Sequence, residues 1–97
     1  MTSIHYSPEN YGLQVVGHLD EDLGYEFHIL SVWRNEQGTV YWAEDAGCSC
    51  PVPFEDFHYN GPEDTNLETD VAALLEAIAG FPCHEDDKQQ LLGWLNP

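Results

Sequence analysis

The chain reads as an α+β domain: an antiparallel meander sheet of about three strands, then a proline-rich loop and two C-terminal helices. Three observations point there. Residues 11–43 alternate apolar and polar side chains and are rich in aromatic and β-branched types, the period-2 signature of strands. Residues 46–65 gather prolines and glycines, which break regular structure. From residue 67 onward leucines recur at helical spacing.

Ninety-seven residues make one domain, 1–97, with enough chain for a single core. An apolar content of 42% and twelve aromatics (3 Trp, 5 Tyr, 4 Phe) require a packed interior and exclude a disordered acidic tail. Residues 1–10 read as a loose arm punctuated by Pro8 and Asn10. Tyr11 to Leu19 forms a first strand, with Leu13 and Val15 on one face and Val16 opposite. Asp20 to Gly24 is a polar turn. The strongest strand signal is 25–34: Tyr25, Phe27, Ile29 and Trp33 alternate with Glu26, His28 and Arg34. Leu30 and Val32 make its second face apolar as well, so this strand should be central and covered on both sides. Asn35-Glu36-Gln37-Gly38 then links it to Thr39–Ala43 as a β-hairpin.

In the irregular stretch 46–65, Val52, Phe54 and Phe57 are apolar enough to hold the loop on the body, with a short edge strand expected near 52–54. Thr65-Asn66-Leu67-Glu68 fits a capping box that would start the first helix, with Leu67, Val71, Leu74, Leu75 and Ile78 on one face. Gly80 would stand just past its end, and Pro82 forbids continuation. The second helix opens with Glu85, Asp86 and Asp87, where carboxylates favour the dipole, and buries Leu91, Leu92 and Leu95.

Charge bounds the function more tightly than any motif. Eighteen carboxylates face two permanent cations, Arg34 and Lys88, for a formal net charge of −16. Nucleic acid and anionic lipid need clustered Lys and Arg, so direct binding of either is excluded, whereas a basic protein would be attracted. Eight acids fall in residues 1–48 and ten in 49–97, the interspersion of a solvated surface. No stretch approaches the ~18 apolar residues of a membrane span. The N-terminal run lacks the basic start and apolar core of a secretory signal, and three cysteines close no disulfide framework. A reducing bacterial cytoplasm is the expected location.

Cys48, Cys50, His58 and Cys83 are the residue types that zinc prefers. Cys48-Ser49-Cys50 leaves one residue between thiols where structural sites usually leave two to four. The bland alternative makes these cysteines small loop and corner residues, and no cofactor is then expected. Catalysis by cysteine is disfavoured, because a strongly anionic field raises thiol pKa. Asp20-x-Asp22-x-Gly24 imitates the opening of a calcium loop, yet Tyr25 stands where glycine is needed and Ser31 where the closing acid belongs. The chain is expected not to be an enzyme.

The run Tyr41-Trp42-Ala43-Glu44-Asp45-Ala46-Gly47-Cys48-Ser49-Cys50-Pro51-Val52-Pro53-Phe54-Glu55 follows Tyr25-Glu26-Phe27 and Val32-Trp33-Arg34. Together they resemble a family of small uncharacterised proteins of phages that infect actinobacteria, most clearly over residues 11–60. The resemblance implies a phage accessory protein made in the bacterial host cytoplasm, and it brings no catalytic residue with it.

Three functions compete. The first is non-enzymatic binding of a host or phage protein through an acidic surface, with Trp42, Phe54, Phe57 and Tyr59 at the contact. The reading against it puts Trp42 and Phe54 in the core. The second is mimicry of duplex DNA to inhibit a DNA-binding protein, which needs the acids in two tracks. The third is a small zinc-stabilised domain built on the cysteines and His58.

Overall fold

A computed structural model describes residues 8–21, 26–48, 54, 57–61, 63–82 and 85–95. A 3-10 turn, Pro8–Tyr11, leads into strands β1 (Leu13–Asp20), β2 (Glu26–Asn35) and β3 (Val40–Cys48), followed by helices α1 (Val71–Gly80) and α2 (Glu85–Leu95). The strands pair antiparallel in the order β1-β2-β3. The fold is the α+β meander with two trailing helices that the sequence pattern predicts.

β2 is central, paired along both edges, and its apolar side chains enter both cores. Ile29 and Trp33 enter one core with Leu13, Tyr41, Phe54, Tyr59 and Leu67. Leu30 and Val32 enter a second core with Leu19, Leu74, Ile78, Phe81 and Leu91. One side of the sheet is thus covered by the segment between β3 and α1, the other by the helices. Each fully buried Leu, Ile or Phe contributes about 1.5–3 kcal/mol, so both coverings matter to stability.

A bulge in β1 shares that strand between the two cores. Leu13 and Val15 stand opposite Asn35 and Trp33, but Gly17 and Leu19 stand opposite Val32 and Leu30, leaving Val16 as the extra residue. Side chains alternate strictly along a strand, so one inserted residue moves everything beyond it to the other face. Leu13 is therefore on the loop side and Leu19 on the helix side. Gly17 lets α2 approach, for a Cβ there would lie 2.8 Å from Leu91 Cδ1.

The hairpin turn closes as expected, with Gly38 at φ 86° and Asn35 Oδ1 accepting from the N–H groups of Gln37 and Thr39. Several boundaries differ from expectation. Residues 8–10, expected in the arm, and Tyr11, expected in the first strand, form the 3-10 turn, and Tyr11 packs on the loop-side core. β3 runs on to Cys48 rather than ending near Ala43. The edge strand expected at 52–54 falls outside the described residues except for Phe54.

The capping box does not cap. Thr65 Oγ1 donates to the His58 carbonyl and accepts from Leu67 N–H, while Glu68 exchanges both main-chain hydrogen bonds with Trp42 on β3. With that backbone engaged at the sheet edge, the helix begins at Val71, capped by Asp70, whose carboxylate accepts from Ala73 N–H. Leu67 is buried on the loop side, and Val71 and Leu75 are exposed. Gly80 is the last helical residue, without positive φ, and Phe81 N–H closes the turn on the Ile78 carbonyl. Lys88 Nζ reaches back to the Ala79 carbonyl at 3.0 Å, a cation at the negative end of α1.

Candidate binding surface

The four aromatics expected at a contact surface are drawn inward. Phe54 and Tyr59 are core residues, and Phe57 and Trp42 are half-buried against the two clusters. Phe54 meets the Trp33 ring edge-on at 5.2 Å and Phe57 at 5.5 Å; Tyr59 meets Tyr41 at 4.9 Å. Burial first, and then the hydrogen bond to Tyr59, hold the Tyr41 phenol above the usual tyrosine range. Phe54 adopts φ 62°, a conformation costly for a residue with a Cβ, and Asp45 Oδ2 fixes it by accepting its N–H at 2.8 Å. Trp42 donates from its indole to the Asp70 carbonyl, anchoring the start of α1. Irregular backbone cannot hold itself on a sheet by ladder hydrogen bonds, so these side chains fasten it. That is why they turn in.

Of the thiol–imidazole set, His58 alone has a described side chain. It is exposed, with Nε2 3.3 Å from Asp64 Oδ1. Cys50 and Cys83, and the side chain of Cys48, lie outside the described residues. No cluster with the makings of a metal site occurs among the described residues.

His28 is the most organised polar group. It stands on the helix face of β2, its ring 4.5 Å from that of Phe81. Nδ1 contacts Glu21 Oε1 at 2.7 Å, and Nε2 contacts Glu44 Oε2. A neutral imidazole has one N–H and donates once; donating to both carboxylates requires the imidazolium. The hydrogen bond to Glu21 is the largest influence; it outweighs burial and, with Glu44, raises the His28 pKa above about 6.5. A metal could take one ring nitrogen but not both, so the three residues form a clamp that ties β2 to β3 and to the residue just past β1, and not a chelate. Both nitrogens being occupied also leaves none to accept a substrate proton.

The open surface lies at the opposite, hairpin end of the sheet. Gln14 and Arg34 are register partners, as are Arg34 and Val40, so this row shares the helix face beyond the part that the helices cover. Val15, Val16 and Trp94 complete a groove of about 280 Å³ over it. Trp94 is 66% exposed and Val15 42%. Among the described residues no carboxylate comes within ion-pair distance of Arg34, and its guanidinium donates to Gln14 Oε1 at a long 3.3 Å. An adjoining hollow shares Gln14 and Arg34 and adds Glu9 and Glu36.

Sequence reasoning missed Trp94, three residues after Leu91, because helical spacing places it near the buried stripe. It also had no signal for the meeting of Arg34 with α2, which depends on tertiary packing. For the clamp a hint existed, since His28 sits on a strand flanked by segments rich in acids.

A small acidic α+β meander with an open groove of mixed polarity and a part-exposed histidine–carboxylate clamp is the class of protein that these features define. The chain belongs to the family described as a domain of unknown function (DUF7574), matching it over residues 2–91. Neither the curated proteins nor the solved structures hold a match to the chain.

Proposed function

We propose that the protein is a non-enzymatic binding protein, a phage accessory component of the bacterial host cytoplasm, that engages a basic host or phage protein. The observation that carries this reading is Trp94, two-thirds exposed beside an open groove on a chain of net charge −16. An exposed tryptophan next to aliphatic side chains is the kind of anchor that dominates interfaces. The surrounding negative charge speeds encounter with a basic partner and selects against acidic ones. The contact is assigned to the Trp94 groove, because Phe54 and Tyr59 are committed to the core and Trp42 and Phe57 to fastening the loop and α1.

The test is capture from lysate of an actinobacterial host on immobilised protein, with identification by mass spectrometry. A partner of basic composition should be retained, released by rising salt, and lost with Trp94→Ala. Recovery no greater than on a charge-matched control removes the reading. A partner displaced by duplex DNA would instead identify the acidic surface as a DNA mimic that inhibits a DNA-binding protein.

A further inference from the structure

We propose that the groove takes the C-terminal residue of the partner: an apolar side chain against Trp94, its free carboxylate on Arg34, and basic residues just upstream at Glu9 and Glu36. This rests on the basic-partner reading and adds how the partner is read.

Size sets the first limit. At about 280 Å³ the groove lies just below the ~300–1,000 Å³ of ordinary small-molecule pockets, which suits one side chain better than a nucleotide or cofactor. Val16, Val40 and Trp94 give it an apolar part and Gln14 and Arg34 a polar part, so it suits a ligand that carries an apolar side chain and a polar group together.

Charge sets the second. Arg34 is the single arginine among eighteen carboxylates, yet among the described residues it pairs with none of them. Among the described residues one long side-chain bond, to Gln14, engages the guanidinium, and its fork matches a carboxylate in two parallel hydrogen bonds. The net charge of −16 does not forbid an anion here, because salt screens charges beyond about 8 Å at physiological ionic strength.

Geometry selects the source of that carboxylate. A chain terminus carries its carboxylate and side chain on the same Cα, which fits a cation and an apolar wall sharing one small groove. An internal Asp or Glu would have to pass chain out of both ends. The hollow bordered by Glu9 and Glu36 continues from Gln14 and Arg34, so a lysine or arginine a few residues before the terminus finds acids there.

The experiment is fluorescence anisotropy with a labelled peptide of sequence KKSGLL, as free acid and as C-terminal amide, at physiological salt. The acid should bind at least about tenfold more tightly than the amide, the scale of a charge-assisted bidentate contact. Arg34→Gln should abolish that preference, and Trp94→Ala should weaken both peptides; both residues are exposed, and far-UV circular dichroism checks that the variants fold. Equal binding of acid and amide overturns the carboxylate anchor and leaves the basic-partner reading standing. Preference for the acid that survives Arg34→Gln overturns it too. Undiminished binding of a lysine-free acid, AASGLL, would keep the anchor and remove the basic-partner reading. No binding of either KKSGLL form at millimolar peptide overturns the groove as a peptide site.

Discussion

The two sides of the sheet are covered by different means. On the helix side, regular backbone presents Leu74, Ile78 and Leu91, mostly aliphatic, to Leu19, Leu30 and Val32. On the loop side, Phe54, Tyr59 and Leu67 come from a segment that, among the described residues, has few main-chain bonds to the sheet, and they meet Trp33 and Tyr41. A helix brings several modest side chains to a core at once, whereas an irregular segment must gain its attachment residue by residue. Aromatics, which bury the most area each, are the economical choice there. The loop side also tolerates local irregularity: φ 62° at Phe54, and a Trp33 indole N–H that is buried without an acceptor among the described residues.

The largest test of this contrast pairs Phe54→Ala with Leu74→Ala. Each should cost stability, about 3–5 and 2–5 kcal/mol respectively. The first should release the segment locally, so that limited proteolysis cuts within 57–70 while helical circular dichroism persists. The second should lower both signals together. Identical behaviour of the two variants would mean that the faces form one cooperative unit.

A smaller effect is expected at Asp45, whose carboxylate accepts from the N–H groups of Phe54 and Ala46. Asp45→Ala should cost about 1–2 kcal/mol by denaturant titration, felt on the loop side. A change confined to α1 and α2 would contradict the assignment.

The smallest is a pH effect on the helix side. Among the described residues, the charged groups facing His28 are Glu21 and Glu44, and Phe81 covers its ring. Because its folded pKa is raised, the stabilisation is fully present below about 6.5 and fades as pH rises through the folded value. Glu44 is 42% exposed, and solvent screening holds the net effect to about 1 kcal/mol. His28→Gln should therefore be less stable than wild type near pH 6, with the gap narrowing towards pH 9. A gap that widens with pH would refute the clamp.

The same contrast explains what could be read in the sequence. The doubled apolar pattern of residues 29–33 identifies β2 as central, and the turn residues Asn35 and Gly38 identify the hairpin, because both are local. Helix α1 is legible in type but not in its start, since the pull of β3 on Glu68 overrides the local capping pattern. The loop-side core is only half legible: its aromatics announce burial, but a segment without periodicity gives no register. The groove is least legible, because Arg34 and Trp94 lie sixty residues apart and only the α2–β1 packing permitted by Gly17 joins them to one surface.

The bulge at Val16 turns β1 into a hinge of parity rather than of motion. Trp33 and Val32 are consecutive, so deleting Val16 would leave a regular ladder with every pairing kept, whereas regular alternation with Val16 retained would carry Leu19 to the loop side and Gly17 away from Leu91. Loss of Val16 should therefore be absorbed by the ladder, as should a conservative replacement there.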